Sequence, residues 1–147
     1  MIFNKPIVKE DLIKRTIPST GEEIPVIGLG TYKSFDCRLS SGNRKDLTQV
    51  LDLFFQAGGT VIDSSPMYGK AEAVVGELLR EMDARGNAWL ATKVWTSGER
   101  RGIGEMDESY RLMHAGPFME LMQIHNLVDW QTHYRTLRQW KDDGKIR

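Results

Sequence analysis

Short apolar runs recur along this chain at an interval of roughly thirty residues, the length of a strand-helix-strand crossover unit, and that interval leaves few architectures open. The runs are PVIGLGTY, GTVIDSS, AWLATKV and MELMQIH, with amphipathic segments between them. Strands joined by helices run parallel, so the pattern predicts an α/β protein built on a parallel sheet. Each run carries glycine, histidine or polar residues toward its end, so the strand ends are furnished for chemistry.

The segments between the runs read as helices. Leu47, Val50, Leu51, Phe54 and Phe55 recur at helical spacing, with Asn43 as the expected cap and Gly58 and Gly59 as the stop. Ala71, Val74, Val75, Leu78, Leu79 and Met82 form an apolar stripe opposite Lys70, Glu77, Arg80 and Glu81. A third helix is expected within Glu105 to His114, on Met106, Tyr110 and Met113. A fourth begins at Asp129 as its cap, lines one face with Trp130, Tyr134 and Leu137 beside Trp140, and ends at Gly144. Ahead of the repeat, LIKRTIPSTGEEIPV reads as a β-hairpin turning around Ser19 to Glu22.

Four parallel βα units suit either an open doubly wound sheet or part of a closed (β/α)8 barrel. An open dinucleotide-binding sheet calls for G-x-G-x-x-G in the first turn, but Gly28 and Gly30 are followed by Thr31, Tyr32 and a long loop. The barrel reading gains. A complete barrel takes ~250 residues, so the 147 residues here are expected to form the amino-terminal half, one partial domain. Residues 1–25 would be its hairpin segment and residues 26–147 its βα units.

Lysine plus arginine balance aspartate plus glutamate at 20 each, which leaves no net field to recruit nucleic acid or an anionic membrane. A small molecule or another protein is the expected partner. The single cysteine, Cys37, has no internal disulfide partner and lies in the polar stretch KSFDCRLSSGNR, where a loop or packing role competes with a reactive thiol. The opening MIFNKPIVKEDLIKR has no apolar run of signal or membrane-span length, so a cytoplasmic location is expected.

In barrels of this kind the working groups sit at the carboxyl ends of the strands. Asp63 closes the second run, Tyr68 follows it, Lys93 lies near the end of the third and His125 ends the fourth. Each has a plain reading: a strand-end cap for Asp63, loop packing for Tyr68, a structural ion pair for Lys93, a satisfied histidine for His125. Lys93 is the hardest to read plainly, because a lysine among strand residues must find a partner or lose its charge. Four ionisable groups on one rim are a less ordinary coincidence than any one of them.

The contexts GTVIDSSPMYGKAEAVVGELL, ATKVW and MELMQIHN resemble the D-x(4)-Y, strand-three lysine and strand-four Q-x-H-N motifs of the aldo-keto reductases, and the hairpin followed by IPVIGLGTY resembles that family's opening. The resemblance runs along nearly the whole chain and is most specific at the Asp-Tyr segment. It implies an NADPH-dependent reductase, with NADH not excluded, that moves hydride to an aldehyde or ketone without a metal. Tyr68 would be the proton donor, Lys93 would ease its ionisation, Asp63 would hold Lys93, and His125 would hydrogen-bond the substrate oxygen. Gly30, Thr31, Asp63 and Asn126 would approach the cofactor. Tyr32, Trp95 and His125 would meet the substrate, although packing is an equal reading for Trp95.

The resemblance also implies that strands five to eight supply the aromatic that stacks on the nicotinamide and the loops that bind the cofactor's phosphates. GKIR looks like the approach to strand five, so the 147-residue chain is expected to be impaired alone and prone to self-association through its open edges. A non-catalytic half-barrel serving as an oligomerising or binding module is the competing reading. His114, His125 and His133 lack zinc-site spacing, and neither H-E-x-x-H nor a G-x-S-x-G elbow is present. Arg100 and Arg101 beside Glu99 read as a solvated loop rather than a phosphate contact.

Overall fold

The computed structural model of the chain describes residues 12–147. The opening MIFNKPIVKED, whose lack of a leader-length run bears on targeting, lies outside the described residues. A hairpin comes first: β1 (Lys14–Thr16) and β2 (Glu23–Pro25) pair antiparallel, with Arg15 opposite Ile24. Its turn falls in the expected place, closed by the Ile17 amide on the Glu22 carbonyl at 2.8 Å and relaxed by Gly21 at φ 73°.

Four parallel strands follow, β3 (Leu29–Gly30), β4 (Val61–Asp63), β5 (Trp89–Val94) and β6 (Leu121–Ile124). Helices α1 (Ser41–Gln56), α2 (Ala71–Glu81) and α3 (Glu99–Leu112) connect them, and α4 (Trp130–Asp142) follows the last. The strands lie in the sheet in chain order, β3-β4-β5-β6. A doubly wound sheet reverses its order at a switch point. This one does not, and four βα units laid down in sequence are half of a (β/α)8 barrel.

Alternation along the strands separates two jobs. Ile62, Leu90, Thr92 and Val94 are fully buried under the helices, where Leu51, Val75, Leu78, Leu79 and Met106 meet them. Burying each large aliphatic chain contributes roughly 1.5–3 kcal/mol. Asp63, Lys93 and Gln123, on the opposite face, are free for polar work. The far end of the sheet is closed by Arg85, which donates to the Ala115 and Ala88 carbonyls and pairs with the buried Glu120 at 3.0 Å.

Several local expectations change. The first run contributes only Leu29–Gly30 to the sheet, with Val26 and Ile27 exposed before it. Ser40, not Asn43, caps α1: its hydroxyl accepts the Asn43 amide, while the Asn43 side chain donates to the Arg38 carbonyl. On α1 itself Val50 is exposed. Helix α3 starts at Glu99, so Arg100 and Arg101 belong to its first turn rather than to a loop. Its buried stripe runs Gly102, Met106, Ser109, and then Met113 beyond its end. In the first half of the helix the buried position is a glycine, which is why apolar periodicity locates only the second half.

Helix α4 is rotated from its expected face: His133, Thr136 and Trp140 are buried, while Trp130 and Tyr134 are exposed. His133 is drawn inward by a backbone carbonyl described below, and Tyr134 is left 52% exposed beside β6. Asp129 stands at the N-cap position of α4 as expected, in a left-handed conformation; its carbonyl accepts the Thr132 and His133 amides and its carboxylate takes the Thr132 hydroxyl rather than a backbone amide of the helix. After α4 the chain turns back, and Ile146 bridges Met119 in parallel, the Met119 amide donating to Lys145 at 2.9 Å. GKIR therefore does approach the free edge of β6 as a fifth strand would.

Candidate active site

The strand register builds the site. Lys93 lies beside Gln123 across the β5-β6 ladder, and Asp63 lies beside Ala91, two residues back along β5 on the same face. From that offset the Lys93 ammonium reaches both carboxylate oxygens of Asp63, at 2.9 and 2.7 Å, and the Ser64 carbonyl at 2.7 Å. Gln123 donates to the same carboxylate at 3.0 Å. The Lys93 side chain is 12% exposed and that of Asp63 38%, so the ammonium is the more shielded partner and meets its counter-charge in the Asp63 carboxylate.

Tyr68 ends a short 3-10 turn, Pro66–Tyr68, which Ser65 caps by accepting the Met67 amide at 3.2 Å. The turn lays the Tyr68 ring over the ion pair. The Lys93 nitrogen is 5.3 Å from the ring centroid, close enough for a cation-π contact. The His125 ring lies edge-on at 5.9 Å, and the Tyr32 ring packs at 5.0 Å from the other side. Trp95 stands beyond His125, 6.2 Å between centroids and 41% exposed. Asp63, Tyr68, Lys93 and His125 thus occupy one rim, with Tyr32 and Trp95 as its aromatic walls.

The remaining predicted positions divide. Gly30 is exposed, and a Cβ built there meets nothing within 4 Å, so open space stands before the end of β3. Thr31 is buried, with its hydroxyl donated to the Asp63 carbonyl at 3.0 Å and the Ser64 hydroxyl at 2.9 Å. It braces β3 against β4. Asn126 is exposed in the left-handed region at φ 53°, in the turn just after β6.

Sequence reasoning passed over two residues. Ser65 places its hydroxyl 2.8 Å from His125 Nδ1. Gln123 fixes the second side of Asp63. The signal for Gln123 was present, since it stands two residues before His125 and therefore on the same strand face. Ser65 gave no comparable signal, because its partner is sixty residues away in the chain.

The open rim fits a flat, polar ring system set down before the strand ends: Gly30 leaves room, Tyr32 and Trp95 offer aromatic edges, and an ammonium and an imidazole converge behind them. A cavity of about 350 Å³ lies elsewhere, between the hairpin, β6 and α4, lined by Trp89, Leu121, Tyr134 and Leu137 among others. It marks the uncovered edge of the sheet and contains none of the rim groups. Among the described residues no three His, Cys, Asp or Glu side chains gather closely enough to hold a metal ion, and no helix is long and apolar enough to cross a membrane.

Residues 26–147 match the profile of the Aldo/keto reductase family. The chain belongs to that family. As an aldo/keto reductase it is 27% identical to the aldo-keto reductase YhdN of Bacillus subtilis, over 90% of this chain and 44% of that protein. It is 29% identical to a D-galacturonate reductase of Hypocrea jecorina, over 73% and 33% respectively. The crystal structure of an aldo/keto reductase from Klebsiella pneumoniae in complex with NADP and acetate superposes with a TM-score of 0.73 at 25% identity, covering 92% of this chain and 48% of that one. The chain therefore spans less than half the length of each of these relatives, and its fold is that part of the family's (β/α)8 barrel.

Proposed function

We propose that this rim is the catalytic half of an NADPH-dependent carbonyl reductase, with Tyr68 as the proton donor to an aldehyde or ketone oxygen. The observation that carries the reading is the stacking of Tyr68 over an ammonium held by Asp63, whose carboxylate is itself held by Gln123. NADPH, when bound, supplies the hydride that reaches the carbonyl carbon. As negative charge grows on the carbonyl oxygen, the Tyr68 hydroxyl gives up its proton to it. The phenolate left behind is stabilised by the Lys93 ammonium and later takes a proton from solvent.

His125 positions the oxygen. If Ser65 donates to Nδ1, the imidazole proton sits on Nε2, free to point at the substrate. Gly30, Asn126 and the backbone around Asp63 and Thr31 would border the cofactor's nicotinamide side, and Tyr32, Trp95 and His125 the substrate. A small carbonyl compound is the partner this predicts, in a cytoplasmic setting.

The test is NADPH consumption with a reactive aldehyde by the 147-residue chain and by its Tyr68→Phe variant. Phenylalanine keeps the ring over Lys93 and removes the transferable proton. Turnover in the parent that falls about a hundredfold or more in the variant supports the reading, with NADPH affinity retained. Equal turnover in both would refute Tyr68 as the acid.

One observation favours a second reading, a non-catalytic module that assembles through its edges. Leu121 and Ile27 remain exposed where further barrel would cover them, at 39% and 64%. A stable oligomer without any carbonyl reduction would select it.

A further inference from the structure

Trp95, Thr96, Ser97 and Gly98 connect β5 to α3, and each has a backbone group held by a side chain from a helix. The Trp95 amide donates to the Glu105 carboxylate. His133 Nε2 donates to the Thr96 carbonyl at 2.7 Å. Arg101 donates to the Ser97 carbonyl at 2.7 Å. The Gly98 amide donates to Asp129 Oδ2 at 2.7 Å, and the other oxygen of Asp129 takes the Thr132 hydroxyl at 2.8 Å. Glu105 and Arg101 come from α3, His133 from α4, and Asp129 from the residue that opens α4.

This is more holding than a short surface loop needs in order to connect two elements, and it has its own slot in the packing. His133 is fully buried, and its ring lies so close to Gly102 of α3 that a Cβ there would meet Cε1 at 2.4 Å. Its Nδ1 has no hydrogen-bond partner among the described residues, so the imidazole holds the loop through Nε2. Asp129, at the N-cap of α4, turns its carboxylate to the Gly98 amide rather than to a backbone amide of its own helix.

We propose that Glu105, His133 and Asp129 are positioning residues that hold the Trp95 loop as a preset wall of the substrate pocket, so that α4 sets the distance between the Trp95 indole and His125. The substrate-pocket part rests on the carbonyl reductase reading; the clamp itself does not. A bulky carbonyl compound would meet an indole already in place, whereas a small one would not reach it. Loosening the clamp therefore raises KM for large aromatic aldehydes and leaves kcat and the small-aldehyde KM nearly unchanged.

The experiment is site-resolved amide hydrogen exchange on the whole 147-residue chain, comparing Glu105→Ala and Asp129→Ala with Glu105→Gln and Asp129→Asn. Each amide replacement keeps an oxygen able to accept the backbone N–H; alanine does not. Exchange at Trp95 in the first alanine variant and at Gly98 in the second should accelerate about tenfold or more, with Leu90 unchanged, and the amide variants should return toward the parent. Unchanged loop amides in both alanine variants, or acceleration shared equally with Leu90, would overturn the clamp. Should one alanine variant fail to fold, the other decides. Absence of aldehyde reduction by the parent would count against the reductase reading while exchange still judges the clamp. Reduction in which alanine variants leave the large-aldehyde KM unmoved would remove the pocket role from it.

Discussion

The Ser65 hydroxyl lies 2.8 Å from His125 Nδ1, joining the turn after β4 to the end of β6 and leaving only Nε2 of that imidazole free for other company. Ser65→Ala removes the one side-chain partner of Nδ1 while keeping a small residue at a buried position. The proton is then divided between the two ring nitrogens, and the ring loses its anchor. Aldehyde reduction should fall about tenfold to a hundredfold, with the thermal midpoint lowered by only a few degrees as the Met67 amide loses its acceptor. Full activity in this variant would show that the contact does not govern His125.

Tyr68→Phe, the central test of the proposed chemistry, separates proton transfer from packing. The aromatic contacts to Tyr32 and His125 survive the change. Stability should therefore hold within about 0.5 kcal/mol while turnover is lost, as checked by denaturant unfolding beside the activity assay.

Glu72 of α2 sits 3% exposed behind β5, where the Thr92 hydroxyl donates to it at 2.5 Å. Burial pushes its carboxyl above the ordinary 4.5, the Thr92 hydroxyl pulling the other way. The folded protein thus binds this proton more tightly than the unfolded chain does. Its contribution is most favourable below pH 4.5 and declines as pH rises from there through the raised folded value, then levels. Glu72→Gln cannot titrate, so its melting temperature should gain on the parent as pH climbs toward neutrality. A gap that shrinks with rising pH would mean that the charged carboxylate is welcome there.

Gly76 marks the contact of α2 with the end of α3. A Cβ at this position would come within 2.0 Å of the Leu112 carbonyl oxygen and 2.8 Å of Met113 Cα. Both are backbone atoms, so no rotamer change relieves the clash. Gly76→Ala gains about 1 kcal/mol of helix propensity and loses more to separation of the helices, so a net cost of roughly 1–3 kcal/mol is expected. Urea unfolding measures it directly, and a stabilised variant would contradict the packing.

Among the described residues the sheet ends at β3 on one side and at β6 on the other, where the returning chain bridges Met119. Unpaired strand edges beside exposed Leu121 favour association. The 16.8 kDa chain should elute above monomer size, increasingly so at higher concentration. A sharp monomer peak across a wide concentration range would show that the edges are protected.

Much of this architecture was legible in the residues because its signals are local. The thirty-residue rhythm requires crossover helices, and period-two alternation puts Asp63, Lys93 and His125 toward one rim. The stripe of α2 from Ala71 to Leu79 is buried as its 3.6-residue period predicts. Where a buried position is filled by something other than a hydrophobe, the signal vanishes: Gly102 hid the start of α3, and His133 hid the buried face of α4.

By itself the sequence determined that there would be four βα units, which groups would stand at the strand ends, and a match to the aldo/keto reductases. Only the tertiary structure decided that Gln123 would brace Asp63, that Ser65 would take one nitrogen of His125, and that the carboxylate of Asp129, at the cap of α4, would hold the Gly98 amide. Helical and strand periods act between neighbours a few positions apart. A hydrogen bond between residues thirty or sixty positions apart exists only after strand register and helix rotation have brought donor and acceptor within 3 Å.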